Sequence, residues 1–250
     1  MISQAEMKNI RKLQSKKGRK LHNLILVEGK RLCGQLLEYN LVFEKIWVTE
    51  KFKKSNESII KKINLSTKID IAPVQDLSKI CTTKNPSGIA GLINIPKPNH
   101  KKISNRIIIL DDISDPGNMG TILRTARWFG VKTVLLSNGC VDPYNSKVIR
   151  SAMGAHFKMN VIFCKIDEQI KRLKDRNFQI ISADVKGSKS IVKFKPNRQK
   201  WALVLGNEAH GLSSDISKLV DEKIKIFKKD EIESLNVSVA CGIFLYHFSV

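Results

Sequence analysis

The sequence has no long apolar run, and this absence bears first on the class of protein. No stretch in its 250 residues approaches the roughly eighteen apolar residues that span a bilayer, so we expect no transmembrane helix and no membrane partner. The first twenty residues are basic and are not followed by an apolar segment with a cleavage site, which argues against a secretory signal. An organelle transit peptide is the alternative for this segment.

Cysteine is also scarce. The five cysteines are an odd number, and no two of them are spaced as C-x-x-C. Disulfide frameworks and structural zinc sites both predict paired, closely spaced cysteines. We therefore expect reduced thiols, a cytoplasmic protein and no metal site.

Acidic residues are few in comparison with basic ones. Forty-four Lys and Arg stand against twenty-three Asp and Glu, which gives a net charge of +21. A Lys-rich composition alone would produce such an excess, but residues 1–20 concentrate seven basic side chains against a single acid, Glu6. This clustering favours a nucleic-acid partner, because a local positive field attracts polyanions.

The chain divides near a stretch that contains two prolines and three lysines, IPKPNHKKIS. We predict a basic N-terminal tail or helix over residues 1–20, a small α/β domain over 21–95, a linker over 96–104 and a second α/β domain over 105–250. In the second domain, strand-like segments such as RIIILDDI alternate with helix-like segments. That alternation predicts a parallel sheet covered by helices, with any ligand at the carboxyl ends of the strands.

Three segments that follow predicted strands have unusual polar patterns. In DDISDPGNMGTILRTARWFG, Gly117 and Gly120 allow close backbone approach and Arg124 and Arg127 lie one helical turn apart. A tight turn with two solvated arginines is an equally good interpretation of this segment alone.

The second segment, GNEAHGLS, is close to the phosphate-binding pattern G-x-x-x-x-G-K-[ST]. Leu212 stands where that pattern has its lysine, which argues against a nucleoside triphosphatase. No G-x-G-x-x-G follows any strand, so a dinucleotide site is also unsupported.

In the third segment, ESLNVSVACG, the polar residues Ser234, Asn236 and Ser238 alternate with apolar ones and lead into a predicted helix. A Ser or Asn at such a position is often only a helix N-cap.

Together, the three segments resemble the SpoU (TrmH-like) branch of the SPOUT methyltransferases. The pattern N-x-G-x-x-x-R-T-A is present as Asn118, Gly120, Arg124, Thr125 and Ala126. The pattern L-V-L-G-x-E-x-x-G-L-S is present as Leu203–Gly206, Glu208 and Gly211–Ser213, and S-L-N-V-S-V-A is complete at Ser234–Ala240. The segment KVIRSAMGAHFKMNV looks like the family's linking segment, and ILVEGKRLCGQLL matches the start of its small substrate-binding domain.

The resemblance implies an α/β fold with a deep trefoil knot in the second domain, an exception to the rule that folds are unknotted. It also implies that the cofactor is S-adenosylmethionine, that the first domain binds RNA and that the chain forms a homodimer through the knotted domain. The implied cofactor contacts are Leu205, Gly206, Gly211, Ile226, Leu235 and Ala240. The chain departs from the family at Ile226-Phe227-Lys228, where Ile-Pro-Met is common.

The implied activity is methylation of a ribose 2′-hydroxyl in RNA, with ribosomal RNA favoured over transfer RNA. The implied catalytic residues are Arg124, Asn118, Glu208, Ser234 and Asn236. We expect Arg124 to bind a phosphate and stabilise negative charge, since arginine is essentially always protonated. A catalytically inactive RNA-binding module and a nucleotide-binding enzyme are the alternatives.

Overall fold

The computed structural model describes residues 1–64, 67–231 and 233–250. The chain forms two compact units. The first unit comprises Met1–Lys97 with Tyr144–Phe157, and the second comprises Pro98–Pro143 with Lys158–Val250. The boundary at Lys97 lies inside the predicted linker, whereas the grouping of Tyr144–Phe157 with the first unit was not predicted.

The helices and strands alternate along most of the chain. In chain order the helices are α1 (Gln4–Lys12), α2 (Lys16–His22), α3 (Lys30–Glu38), α4 (Glu50–Ser55), α5 (Glu57–Asn64), α6 (Val74–Ile80), α7 (Pro116–Trp128), α8 (Ser146–Ala152), α9 (Ile166–Asp175), α10 (Ser214–Leu219) and α11 (Val237–Ser249), with short 3-10 helices at Ala155–Lys158 and Ile191–Lys193. The strands are β1 (Leu24–Glu28), β2 (Lys45–Val48), β3 (Ile69–Ile71), β4 (Ile89–Asn94), β5 (Arg106–Leu110), β6 (Thr133–Leu136), β7 (Asn160–Phe163), β8 (Gln179–Ala183), β9 (Lys189–Ser190), β10 (Trp201–Leu205) and β11 (Glu222–Lys225).

The first unit is built on a four-stranded sheet in the order β1-β4-β2-β3. Strands β1 and β2 both pair antiparallel with β4, and β3 pairs parallel with β2. Successive residues of β2 enter different cores, as the alternation of a strand requires: Ile46 packs with helices α3 and α5, and Trp47 packs with α1 and α6. Helices therefore cover both faces of this sheet.

The N-terminal segment is not a separate tail. Ile2, Met7 and Ile10 are buried, and they share a hydrophobic cluster with Trp47 of the sheet. The prediction for residues 1–20 was a basic tail or helix, and the structure has helices α1 and α2 there, with the apolar residues between the charges determining how the segment packs.

Segment Tyr144–Phe157 lies between two parts of the second unit in the sequence but packs in the first unit. Ile149 and Phe157 belong to the same core as Leu36. Arg150 Nη1 lies 3.3 Å from Glu28 Oε1, and the Glu28 side chain is only 7% exposed. Burial raises the pKa of Glu28, but hydrogen bonds, first among them the one from Thr82, outweigh this effect and hold the pKa below its ordinary value of 4.5.

The second unit contains a seven-stranded sheet in the order β7-β6-β5-β10-β8-β11-β9, and every neighbouring pair is parallel. The predicted parallel sheet is thereby confirmed. Helices α9 and α10 cover one face, where Ile170 and Ile216 share a core with the buried residues of β5 and β10. Helices α7 and α11 pack against each other, and α11 also contacts β8.

Within the described residues, no helix combines the length and apolar character needed to cross a membrane.

Candidate active site

Strands β5 and β10 lie side by side at the centre of the parallel sheet, and their carboxyl ends meet. Leu110 pairs in register with Leu205, and the Asp111 amide donates to the Leu205 carbonyl at 2.9 Å. The buried Asp111 carboxylate accepts a hydrogen bond from the Ser213 amide at 3.0 Å. The loops that follow the two strands are thus fixed to each other.

The loop after β10 folds back tightly on itself. Asn207 and Gly211 exchange two backbone hydrogen bonds of 3.0 and 2.8 Å. A Cβ atom placed on Gly206 would lie 2.5 Å from the Gly211 carbonyl carbon, so only glycine fits there. The Asn207 amide group also donates to the Asp112 carbonyl at 3.0 Å, which fixes the loop to the end of β5.

Helix α7 begins where the Asp-Pro sequence predicts a helix start. The Asp115 carboxylate accepts from the Asn118 amide at 2.8 Å as the N-cap, and Pro116 occupies the first turn. This arrangement places Asn118 in the first turn of α7, beside the loop after β10.

Asn236 uses both ends of its side-chain amide. Its Oδ1 accepts from the backbone amides of Ser238 at 2.9 Å and Val239 at 3.3 Å, which makes it the N-cap of α11. Its Nδ2 donates to Asn118 Oδ1 at 2.9 Å and to Glu208 Oε1 at 3.3 Å. The N-cap interpretation of this motif therefore accounts for the oxygen, and the nitrogen belongs to a polar cluster.

Three of the five predicted catalytic residues form this cluster. Asn118 Nδ2 also donates to Glu208 Oε1, so Asn118, Glu208 and Asn236 contact one another. One residue comes from each of the three motifs. We call this group the amide–carboxylate cluster.

Arg124 and Ser234 lie outside the amide–carboxylate cluster. Arg124 is exposed on α7, about 9 Å along the helix axis from Asn118. Neither side chain forms a hydrogen bond or an ion pair with any part of the chain that the structure describes. The cluster therefore does not hold Arg124, and the roles expected of Arg124 and Ser234 stay predictions.

The predicted cofactor contacts lie at the end of β10, in the loops after β10 and β11, and around the start of α11. Leu205 is buried and Ile226 is half-buried, while Leu235 is exposed. Strand β8 lies between β10 and β11. Its Ser182 pairs with Val204 of β10, and its Ala183 pairs with Ile224 of β11. Strands β10 and β11 therefore end at the same level, about 10 Å apart across β8. The Ala240 amide donates to the Asn236 carbonyl at 2.9 Å in the first turn of α11.

The residues that shape this site without belonging to a motif were missed by the sequence analysis. Asp111, Asp112 and Asn207 hold the loops, and Cys140 Sγ donates to the Leu110 carbonyl at 3.3 Å below them. Burial raises the pKa of the Cys140 thiol. Two consecutive aspartates directly after a buried strand were the available signal.

Among the described residues, no group of three or more His, Cys, Asp or Glu side chains could hold a metal ion.

In parallel α/β proteins, ligands bind at the carboxyl edge of the sheet, and polar side chains join the three loops at that edge here. The chain belongs to the SpoU rRNA methylase family, whose model matches residues 105–246. Residues 4–91 match the MRM3-like substrate binding domain.

Similar proteins extend over nearly the whole chain. A 23S rRNA (guanosine(2553)-2′-O)-methyltransferase of Bacillus subtilis is 28% identical over 97% of this chain and 95% of its own length. The structure of a TrmH-family protein from Porphyromonas gingivalis has a TM-score of 0.87 at 25% identity and covers 99% of this chain and 98% of its own. An AdoMet-bound rRNA methyltransferase structure from Sinorhizobium meliloti has a TM-score of 0.84 at 23% identity and covers 99% of this chain and 95% of its own.

Proposed function

We propose that the protein transfers a methyl group from S-adenosylmethionine to a ribose 2′-hydroxyl of ribosomal RNA. The observation that carries this proposal is the amide–carboxylate cluster, in which the three SpoU motifs meet. The B. subtilis relative supports ribosomal RNA over transfer RNA, since its name specifies a 2′-O-methylated nucleotide of 23S rRNA.

The residues at the carboxyl edge fit S-adenosylmethionine. Gly206 is half-buried and Gly211 is exposed, so the loop offers backbone groups at these positions instead of side chains, and Leu212 stands where a triphosphate site has lysine. We propose that the loop after β10 (Leu205, Gly206 and Gly211), Ile226, Leu235 and Ala240 hold the cofactor, mainly through backbone groups. When bound, S-adenosylmethionine supplies a methyl group already activated on a positively charged sulfur.

Glu208 orients the ribose in this proposal. Both amide donors of the cluster, from Asn118 and Asn236, point at its Oε1. The two hydrogen bonds fix the carboxylate and leave Oε2 directed to accept a hydrogen bond from a ribose hydroxyl. Ser234, two residues before Asn236, would add a further hydroxyl contact to the sugar.

Arg124 stabilises charge in this proposal. As the 2′-hydroxyl gives up its proton to solvent water during methyl transfer, negative charge develops on its oxygen, and a guanidinium that stays protonated stabilises that charge. Arg124 is exposed and unpaired among the described residues, so its guanidinium is available to bind the phosphate next to the target ribose. The 2′-hydroxyl also explains why RNA, and not DNA, is the substrate.

We further propose that the second unit is knotted. The strand order supports this, because β10 lies between the earlier strands β5 and β8, and β11 lies between β8 and β9. The resemblance to the SpoU family implies this knot, and the late insertion of β10 and β11 is the strand order that such threading would leave.

The exposed apolar face of α7 and α11 supports a homodimer. Val239, Ile243 and Tyr246 follow one another at helical spacing on α11, and Trp128 is 85% exposed on the adjoining α7. Contiguous apolar side chains with exposed aromatics are typical of protein interfaces. We propose that this face packs against a second copy. The unpaired thiols support a cytoplasmic enzyme.

The proposal is tested by incubating the purified protein with tritiated S-adenosylmethionine and an unmodified 23S rRNA transcript. Label should enter RNA, and nuclease digestion should recover it in a 2′-O-methylated nucleotide. Glu208→Gln keeps the shape of the side chain but removes its charge, and should lower turnover by about 10-fold or more without unfolding the protein. Cofactor binding with RNA binding but no transfer would instead establish the inactive RNA-binding module.

A further inference from the structure

Helix α2 carries the most concentrated positive charge in the first unit. Its seven residues include Lys16, Lys17, Arg19, Lys20 and His22. The sequence contains no acidic residue between positions 7 and 27. Of the two flanking acids, Glu6 lies 2.6 Å from the Lys45 ammonium group and Glu28 lies 3.3 Å from Arg150 Nη1. No carboxylate of this segment is therefore available to neutralise α2.

Contacts with the turn between α1 and α2 fix the position of α2. Arg19 is only 4% exposed, and its Nη1 donates to the carbonyls of Leu13 at 2.8 Å and Gln14 at 2.9 Å. Gly18 packs so closely that a Cβ atom there would lie 1.9 Å from the Lys12 carbonyl oxygen. One basic residue of α2 is thus used to fix the turn.

The remaining lysines face solvent. Lys17 and Lys20 are exposed, and neither side chain forms an ion pair or a hydrogen bond with any described residue. They lie three positions apart on one face of α2, where like charges repel and destabilise the helix. The fold thus holds two repelling charges together at a fixed position.

Some basic side chains elsewhere in the chain are paired within the protein. In the second unit, Lys189 pairs with Glu222 at 2.7 Å, and Arg198 donates to the Phe178 carbonyl at 3.2 Å. On α4, Lys53 and Lys54 line a cavity of about 370 Å³ together with Glu50 and Glu57. These basic side chains lie beside acids or bind the protein's own backbone.

We propose that Lys17 and Lys20 of α2 form a phosphate-binding surface that positions the RNA substrate. This inference rests on the proposed function and identifies residues through which the first unit binds RNA. The contacts are to the sugar–phosphate backbone, so they position the RNA without reading its sequence.

The test is the salt dependence of RNA binding by the full-length protein carrying Lys17→Gln and Lys20→Gln together. Each phosphate contact contributes about 0.7 to 0.9 to the slope of log affinity against log salt, so the double variant should lose about 1.4 to 1.8. Between 0.05 and 0.2 M salt, that slope corresponds to roughly a tenfold difference. Binding is measured with a 23S rRNA transcript and with a short hairpin of unrelated sequence, and both should weaken alike.

The matched control is Lys53→Gln with Lys54→Gln, which removes the same charge from the same unit. The control should keep the wild-type slope. An unchanged salt slope in the α2 variant, or an equal loss of slope in both variants, would overturn the proposed phosphate-binding surface. Both variants should bind S-adenosylmethionine normally; wild-type protein that neither binds nor methylates the transcript would instead overturn the proposed function.

Discussion

Replacing Gly206 with alanine should weaken cofactor binding, because the added methyl group has no room. Its Cβ would lie 2.5 Å from both the carbonyl carbon and the oxygen of Gly211, and 2.7 Å from the Leu212 amide nitrogen. These are backbone atoms, so the loop itself must move. Overpacking of this kind costs about 1–3 kcal/mol. Where the bound loop must keep its shape, that cost corresponds to roughly 5- to 150-fold in affinity.

Two further glycine variants separate loop shape from a general glycine effect. Gly211→Ala meets no atom within 4 Å but has a φ of +68°, so it should cost only backbone strain, about 1–2 kcal/mol. Gly34→Ala lies within α3, where the nearest atom is the Ile59 Cδ1 at 4.0 Å, and should be neutral or stabilising. Calorimetric titration with S-adenosylmethionine and the melting temperature are the measurements. A Gly206→Ala protein with wild-type affinity and melting temperature would refute the reasoning.

Three other perturbations test the remaining parts of the account. Arg124→Ala and Arg124→Lys should both abolish methyl transfer, since a point charge does not reproduce the guanidinium fork. The affinity for cofactor, measured by calorimetry, should stay nearly unchanged. Substantial turnover by either variant would contradict the proposed role of Arg124 in stabilising charge. Trp128→Glu should shift the protein from dimer to monomer in sedimentation velocity. Val192→Glu should not, because Val192 is also exposed but lies outside α7 and α11. A Trp128→Glu protein that remains a dimer would exclude the proposed face. Because the Glu28 pKa is lowered on folding, its contribution to the free energy of unfolding is present above pH 4.5 and should be lost as the pH falls through the folded pKa. Glu28→Gln should flatten this acid limb in denaturant titrations at different pH, and an unchanged pH dependence would show that Glu28 does not contribute.

The sheet of the second unit could be predicted because burial on both faces leaves a clear pattern. IIIL and WALVL are continuous apolar runs, and they lie in the adjacent central strands β5 and β10. The N-terminal segment was predicted less well, since charged residues outnumber the apolar ones there and only the spacing of Ile2, Met7 and Ile10 indicated a buried face.

The three site motifs could be identified from sequence, but their mutual geometry could not. Asn118, Glu208 and Asn236 are separated by 90 and 28 positions, and the strand order of the sheet brings them together. From the sequence, Asn207 is predicted only to lie in a loop. Its role in fixing that loop to the end of β5 depends on β5 being the neighbour of β10 in the sheet. The packing of Ile149 on the first unit likewise depends on tertiary contacts with no local pattern.

The most direct test of the central claim is a comparison of 2′-O-methylated nucleotides in ribosomal RNA from cells with and without this gene. We expect one or more ribosomal RNA positions to lose their 2′-O-methyl group in the deletion strain, and wild-type protein to restore the modification while Arg124→Ala does not. Unchanged ribosomal RNA methylation, or restoration by Arg124→Ala, would contradict the account.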